Sequence, residues 1–256
     1  MQMKMFNVYN NENQAVLDAY AMLTANIHIS NDQKLLRTFG LTSCNPEEGK
    51  TSIAISLAIT MAHLGWNVLL VDADMRKPTA AKRLNEGSLL GLSDYLSENV
   101  ELEDVLSETN ITNLTYCSCG NDHRNPIGLL CSARFEELLA KVRNDYDIVL
   151  FDTPALTSVV DGAIVASKVD ANLLVVKMGL TTLTSLKRIK EQLEKLNANI
   201  LGVVLNKVKK RDYKKYLGSY NYFFNSKRFL NNKGKSTKHI NQPKNEQMSQ
   251  NLATSL

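Results

Sequence analysis

Cysteine is scarce in this chain, which has only four of them: Cys44, Cys117, Cys119 and Cys131. Two of these form a Cys-x-Cys pair, but the two-plus-two spacing of a zinc site is missing. So few cysteines do not suggest a disulfide framework either. We therefore predict four reduced thiols, mostly buried, in a cytoplasmic protein.

Two further absences concern membranes. No apolar run follows Lys4, so the N-terminus does not predict a signal peptide. Residues 51–71 contain no charged side chain and are long enough to span a bilayer. However, Ser, Thr, His and Asn side chains interrupt this stretch, and Gly65 breaks it. We predict a buried helix followed by a buried strand, and no membrane crossing.

Acidic residues are nearly absent from the end of the chain. Residues 207–256 contain 12 Lys and Arg against two Asp and Glu, whereas residues 1–206 contain 18 against 24. A basic segment of this kind suits an anionic membrane surface, an acidic protein or nucleic acid, and it equally suits a solvated tail. Apolar residues become sparse after Val208, apart from an aromatic island at Tyr213–Phe229, and residues 231–256 are predicted to be disordered.

Continuous apolar runs alternate with helical patterns along the rest of the chain, which is typical of a parallel sheet covered on both faces. We predict a single α/β domain with a mostly parallel sheet. Its expected strands are Leu36–Leu41, Val68–Val71, Leu114–Cys117, Ile148–Phe151, Leu173–Val176 and Ile200–Leu205. Its expected helices are Gln14–Ile27, Thr51–Leu64, Arg134–Arg143, Gly162–Ser167 and Thr182–Leu196, with short helices and turns over residues 85–112.

The segment Cys44–Thr51 joins the first predicted strand to a helix and ends in Gly-Lys-Thr. Backbone N–H groups at such a junction, together with the helix N-terminus, bind phosphates. Lys50 is expected to reach the β- and γ-phosphates of ATP, and Thr51 to ligate Mg²⁺. The expected nucleotide-binding residues are Asn45, Pro46, Glu47, Glu48, Gly49, Lys50, Thr51 and Ser52. The fold is therefore expected to be of the P-loop NTPase type.

Carboxylates follow two of the predicted strands. Asp72 and Asp74 come after Val68–Val71, and Asp152 comes after Ile148–Phe151. Ligands of open α/β sheets bind at these strand ends. Mg²⁺ keeps several waters and needs only one or two carboxylates, so Asp72 and Asp152 are its candidate partners, partly through water. Either Asp72 or Asp74 could accept a proton from an attacking hydroxyl.

Taken together, these motifs resemble those of the bacterial tyrosine kinases, ATPases of capsule and exopolysaccharide export. The resemblance covers Asp18 to about Val208, followed by a tyrosine-bearing tail. Asp72–Pro78 is similar to the Walker A′ motif of that family, Asp152-Thr153-Pro154 to its Walker B motif, and Asn125-Pro126 with Leu129-Leu130 to its Asn-Pro element. Gly202–Val208 is similar to its last strand.

The resemblance implies a domain organisation and a set of partners. Residues 1–33 would form a helical segment that contacts other subunits, 34–208 the kinase domain, 209–230 the tyrosine-bearing tail and 231–256 a polar tail. The family autophosphorylates such tails in trans, which makes Tyr213, Tyr216, Tyr220 and Tyr222 the expected phosphoacceptors. It also implies a homo-oligomer and a transmembrane activator of the chain-length-determinant type, which recruits the kinase to the inner face of the plasma membrane. No nucleic acid is expected as a partner.

Four positions or segments depart from the family pattern. Glu47 replaces a glycine, and Gly128 replaces the glutamate of the Asn-Pro element. Ala21 and Thr24 stand where the family has two arginines that mediate subunit contact, so ring assembly is open. The tail has four tyrosines and continues beyond them.

Two other functions stay open at this point. One is a positioning ATPase of the MinD/ParA type, against which the missing signature lysine at Asn45 argues. The other is a nucleotide-binding regulator of export without kinase activity.

Overall fold

The computed structural model describes residues 14–31, 35–76, 90–98, 100–121 and 125–209. Within this part of the chain the strands are β1 (Thr38–Ser43), β2 (Val68–Asp72), β3 (Leu106–Glu108), β4 (Leu114–Cys117), β5 (Ile148–Asp152), β6 (Ala171–Lys177) and β7 (Ile200–Asn206). They form one sheet with the order β3-β4-β2-β5-β1-β6-β7. Neighbouring strands run parallel, except that β3 is antiparallel to β4.

Helices cover both faces of the sheet. They are α1 (Gln14–Asn31), α2 (Lys50–His63), α3 (Leu92–Leu96), α4 (Leu102–Val105), α5 (Pro126–Leu130), α6 (Ala133–Asp145), α7 (Asp161–Lys168) and α8 (Leu183–Lys195). One core lies between the sheet and α2, against which α1 packs. The other face is covered by α3 to α8, with a separate cluster under α7 and α8. The predicted P-loop NTPase-type fold, with its mostly parallel sheet, is confirmed.

The first strand begins two residues later than predicted, at Thr38, because side chains intercept the backbone before it. The Asn31 side chain accepts a hydrogen bond from the Leu36 N–H and donates one to the Leu36 carbonyl. The Arg37 N–H donates to Asp170. Register partners in the sheet therefore run from Thr38 to Ser43, and of Arg37 only the carbonyl takes part, accepting from the Val149 N–H at 2.7 Å.

Two short elements were not predicted from the sequence. The strand β3 has three residues and owes its conformation to pairing with β4. The helix α5 begins after Asn125, whose side-chain oxygen accepts from the Gly128 N–H at 3.1 Å, and Pro126 occupies its first turn. Pairing and capping of this kind involve too few residues to produce a periodic pattern.

The uncharged stretch over residues 51–71 is a buried helix and a buried strand, as predicted. Nine residues of α2 are buried, and every residue of β2 is. None of the helices in the described part of the chain combines the length and apolar character that a bilayer span requires.

Asp170 ties the amino-terminal edge of the sheet together. Its carboxylate accepts from the N–H groups of Arg37 at 2.9 Å and Thr38 at 2.8 Å, and it lies 3.0 Å from the Arg143 guanidinium. Burial by itself raises the pKa of Asp170, but the hydrogen bonds from Thr38 and Arg37 and the charge of Arg143 outweigh it, so the pKa lies below its ordinary value.

This depressed pKa predicts how stability depends on pH. The carboxylate contributes stability above the unfolded-state pKa, about 3.9, and the contribution is lost as the pH falls through the lower folded-state value. We expect Asp170→Asn to lower the free energy of unfolding at pH 7 by about 2 kcal/mol. Urea unfolding should show that this difference is constant above about pH 5 and shrinks in more acidic solution. A difference that did not vary with pH would contradict an ionised Asp170 as its source.

Candidate active site

The loop from Cys44 to Gly49 leads from β1 into α2, which begins at Lys50. Gly49 caps the helix with φ 96°, in the left-handed region that favours glycine. The first turn of α2 contains no acidic residue. Its N-terminal N–H groups and the Lys50 ammonium therefore make a site for an anion.

Glu48 braces this loop from inside. Its side chain is fully buried and accepts from the Asn45 N–H at 3.0 Å and from the Thr181 hydroxyl. The Glu48 carbonyl accepts from the Asn206 side chain at 2.8 Å. The side-chain carboxylate and the backbone carbonyl of Glu48 are thus both held by protein groups.

Glu47 is exposed and sits at φ 62°, where a side chain is strained. The Lys207 ammonium donates to the Glu47 carbonyl at 3.2 Å. Asn206 and Lys207 at the end of β7 therefore hold two consecutive carbonyls of the loop. Neither residue was predicted to take part in the site, because each lies about 160 residues away along the chain and only the strand order brings it near.

Two substitutions at Glu47 separate its strain from its charge. Glu47→Gly removes both, whereas Glu47→Gln removes only the charge. We expect both variants to bind ADP more tightly, because a carboxylate near the phosphates repels them. Only Glu47→Gly should raise the free energy of unfolding, by about 1 kcal/mol. Titration with a fluorescent ADP analogue and urea unfolding measure the two effects, and equal stabilisation by both variants would mean that the backbone is not strained.

The strand order places the predicted carboxylates beside this loop. Asp152 on β5 is the register partner of Asp72 on β2 and of Leu41 on β1. Asp72 and Asp152 are almost completely buried. The Asp72 side chain accepts from the Asp74 N–H at 3.0 Å, so it holds the backbone that carries Asp74. Three acids from two predicted strand ends are therefore brought to the same edge of the sheet.

The chain that follows Asp152 supports the phosphate loop from a second side. The Thr153 hydroxyl donates to the Leu41 carbonyl at 2.9 Å, and the Thr157 hydroxyl donates to the Cys44 carbonyl at 2.7 Å. The Leu156 N–H donates to the Ser43 carbonyl. These contacts were also not predicted from the sequence.

The thiols near this edge are buried and protonated. Burial, aided by the charge of Glu48, raises the pKa of Cys44 to about 11. Burial and the charge of Asp72 raise the pKa of Cys119 to about 12 and that of Cys117 further. Cys131, in contrast, is exposed, so the prediction of mostly buried thiols holds for three of the four.

Comparison with known proteins identifies the family. Residues 41–222 match the model of the CobQ/CobB/MinD/ParA nucleotide binding domain. The chain is 35% identical over 187 residues to the tyrosine-protein kinase CpsD of Streptococcus agalactiae, an alignment that covers 73% of this chain and 81% of CpsD. The kinase domain of the Escherichia coli tyrosine kinase ETK superposes with a TM-score of 0.77 at 30% identity, covering 82% of this chain and 84% of that domain.

The chain is a bacterial tyrosine-protein kinase. MinD of Pyrococcus horikoshii, in a complex with Mg-ADP, superposes with a TM-score of 0.59 at 23% identity, over 69% of this chain and 73% of MinD. That likeness shows a shared fold alone.

The structure shows the surroundings of two departures of this kinase from the family pattern, the missing arginines at positions 21 and 24 and the glycine at position 128. Ala21 on α1 is exposed, but Thr24 is 2% exposed where α1 packs against α2. An arginine side chain at position 24 would have to enter this buried contact. At position 128, a Cβ would lie 2.2 Å from the Asn125 side-chain nitrogen, so a larger residue there would require the Asn125 side chain to shift.

The expected phosphoacceptors Tyr213, Tyr216, Tyr220 and Tyr222 lie outside the described residues, as does the polar tail over residues 231–256.

Proposed function

We propose that this kinase transfers the γ-phosphoryl group of ATP to tyrosines of its own C-terminal tail, in trans between subunits. One observation carries the proposal: the strand order β2-β5-β1 gathers Asp72, Asp152 and the phosphate loop at one edge of the sheet. A loop that binds phosphates next to buried acids suits phosphoryl transfer, which depends on positioning and charge.

Different groups of the protein would bind the phosphates and accept the tyrosine proton. The N-terminal N–H groups of α2 and Lys50 hold the phosphate oxygens of ATP, with Asn45 to Ser52 lining the loop. The tyrosine hydroxyl oxygen attacks the γ-phosphorus, and the bond from that phosphorus to the β–γ bridging oxygen breaks. The hydroxyl proton passes to Asp74 or Asp72, and ADP leaves with the bridging oxygen.

Magnesium fits the same edge. Asp72 and Asp152 are hard oxygen donors on adjacent strands, and Thr51 offers a hydroxyl in the first turn of α2. These residues would hold Mg²⁺, partly through its waters. When bound, the ion would neutralise phosphate charge and orient the γ-phosphoryl group.

The cellular role follows from the family resemblance. We propose that phosphorylation of Tyr213, Tyr216, Tyr220 and Tyr222 regulates the synthesis and export of a capsular polysaccharide or exopolysaccharide. A transmembrane activator would recruit the kinase to the inner face of the plasma membrane, where the basic tail suits anionic lipids. Each phosphate would add about −1.5 to −2 charges to that tail.

Phosphotyrosine mass spectrometry tests the proposal on full-length protein co-expressed with its membrane partner. We expect phosphate on the tail tyrosines of the wild type and none on Lys50→Met. A tail that is equally unmodified in both proteins would rule out the kinase reaction. ATP-dependent binding to anionic vesicles without phosphotyrosine would instead support a positioning ATPase.

A further inference from the structure

Asp161 is a buried carboxylate that the proposed mechanism does not use. It is the first residue of α7 and is 1% exposed. Arg76 meets it with two hydrogen bonds, from Nε to Oδ2 at 2.7 Å and from Nη2 to Oδ1 at 3.1 Å. This two-point geometry fixes orientation as well as distance. The Arg76 side chain is 42% exposed, so the two partners are buried very unequally.

Arg76 lies two residues after the candidate base Asp74, in the segment formed by residues 72–76. Each residue of this segment is held in a different way. The Ala73 N–H donates to the Asp152 carbonyl at 2.8 Å, the Asp74 N–H donates to the Asp72 side chain, and Met75 is buried in the core. Arg76 adds an anchor on the carboxyl side of Asp74. The position of Asp74 is thus determined from both sides.

The other end of the pair belongs to the support of the Asp152 loop. A Cβ on Gly162 would lie 2.6 Å from the Pro154 carbonyl oxygen, so the start of α7 touches the chain that follows Asp152. The same helix packs against β1, which leads into the phosphate loop. The contact between Arg76 and Asp161 therefore connects the segment of Asp74 to the elements that carry Asp152 and Lys50.

We propose that Arg76 and Asp161 form a positioning pair that fixes Asp74 relative to Asp152 and the phosphate loop. Neither residue touches the reacting atoms in this role. As a determinant of the transfer rate, the pair rests on the proposed kinase function. Its effect on the position of residues 72–76 can be tested without measuring any activity.

The test compares two conservative variants of the pair with one matched control in full-length protein. Asp161→Asn keeps the volume and removes the charge, and Arg76→Lys keeps the charge but loses the two-point geometry. The control is Asp170→Asn, which removes the same charge from another arginine-bound carboxylate at the opposite edge of the sheet.

Three quantities are measured for each variant: hydrogen exchange of the amides at 72–76, affinity for a fluorescent ADP analogue, and the single-turnover rate of ATP hydrolysis and tail phosphorylation. We expect faster exchange at 72–76 and a rate lowered about 10- to 100-fold in both pair variants, with nucleotide affinity within a few-fold of wild type. The double variant should be no slower than the slower single variant, because both changes break one contact. Asp170→Asn should leave rate and exchange at 72–76 unchanged.

Other outcomes overturn the pair in different ways. Unchanged exchange at 72–76 in Asp161→Asn means that the contact holds nothing in place, whatever the activity. A loss of rate and nucleotide affinity confined to Arg76→Lys makes Arg76 a direct phosphate ligand instead. If the wild type carries no phosphotyrosine, the proposed kinase function is wrong. Hydrogen exchange at 72–76 still decides whether the contact between Arg76 and Asp161 holds this segment in place.

Discussion

Asp152→Asn is expected to lower phosphoryl transfer at least about 100-fold while leaving the folded protein as stable as wild type, or more stable. The reason is the position of Asp152 opposite Asp72 in the register of two adjacent parallel strands, with both carboxylates buried. Neighbouring strands are only about 4.8 Å apart. The backbones that carry the two buried carboxylates are therefore close, and neutralising one acid removes any charge repulsion between them in the folded state.

The same change removes an oxygen charge that would face magnesium. Binding of the fluorescent ADP analogue should therefore lose much of its dependence on Mg²⁺, which provides a measurement separate from turnover. Thermal unfolding without nucleotide measures the stability.

Asp147→Asn is the matched control, since Asp147 immediately precedes the same strand at its other end and accepts from the Asn67 N–H. It should lose some stability and no activity. An Asp152→Asn protein that retained magnesium-dependent transfer would show that the acid has no part in the reaction.

The strands that carry the site could be predicted because each is a continuous apolar run that ends in a diagnostic residue. Val68–Val71 and Ile148–Phe151 are followed by Asp72 and Asp152, and a strand at the centre of a parallel sheet has to be apolar on both faces. Both strands were placed to within one residue of their observed ends. The first strand begins two residues later than its apolar run predicts, because Asn31 takes both backbone hydrogen bonds of Leu36 and Asp170 takes the N–H of Arg37.

The braces of the phosphate loop could not be predicted in the same way. Thr181 and Asn206 reach Glu48 across 133 and 158 residues, and Lys207 reaches Glu47 across 160. Their participation follows from β6 lying next to β1 and β7 next to β6, an order that the apolar pattern does not specify. The pair of Arg76 and Asp161 is similar, since a motif draws attention to Arg76 but nothing local marks its partner.

Replacing Gly49 by alanine is expected to have the second large effect on stability and nucleotide affinity, because two separate obstacles oppose a side chain at this position. Its φ of 96° belongs to the left-handed region, and a Cβ would lie 2.3 Å from the Asn206 side-chain nitrogen. That nitrogen cannot simply move aside, since it donates to the Glu48 carbonyl at 2.8 Å. Gly49→Ala must therefore displace Asn206 and break its hydrogen bond to the Glu48 carbonyl, in addition to straining the backbone.

Gly65 permits the two obstacles to be separated. It lies just beyond the other end of α2 and has φ 95°, but a Cβ at this position would meet no atom within 4 Å. Gly65→Ala should cost about 1 to 2 kcal/mol of unfolding free energy, the cost of the backbone conformation alone, with unchanged affinity for nucleotide.

Gly49→Ala should cost more than Gly65→Ala by urea unfolding and should weaken binding of the fluorescent ADP analogue at least about 100-fold, or about 2.7 kcal/mol. Asn206→Ala makes room for the alanine side chain but does not restore the hydrogen bond to the Glu48 carbonyl. The double variant Gly49→Ala/Asn206→Ala should therefore recover part of the lost stability and little of the affinity. Equal losses in Gly49→Ala and Gly65→Ala would mean that only backbone strain matters and that the Asn206 contact does not organise the loop. The hydrogen bond from Asn206 to the Glu48 carbonyl joins the end of β7 to the phosphate loop. A selective loss of affinity in Gly49→Ala would therefore make the last strand of the sheet part of the nucleotide site.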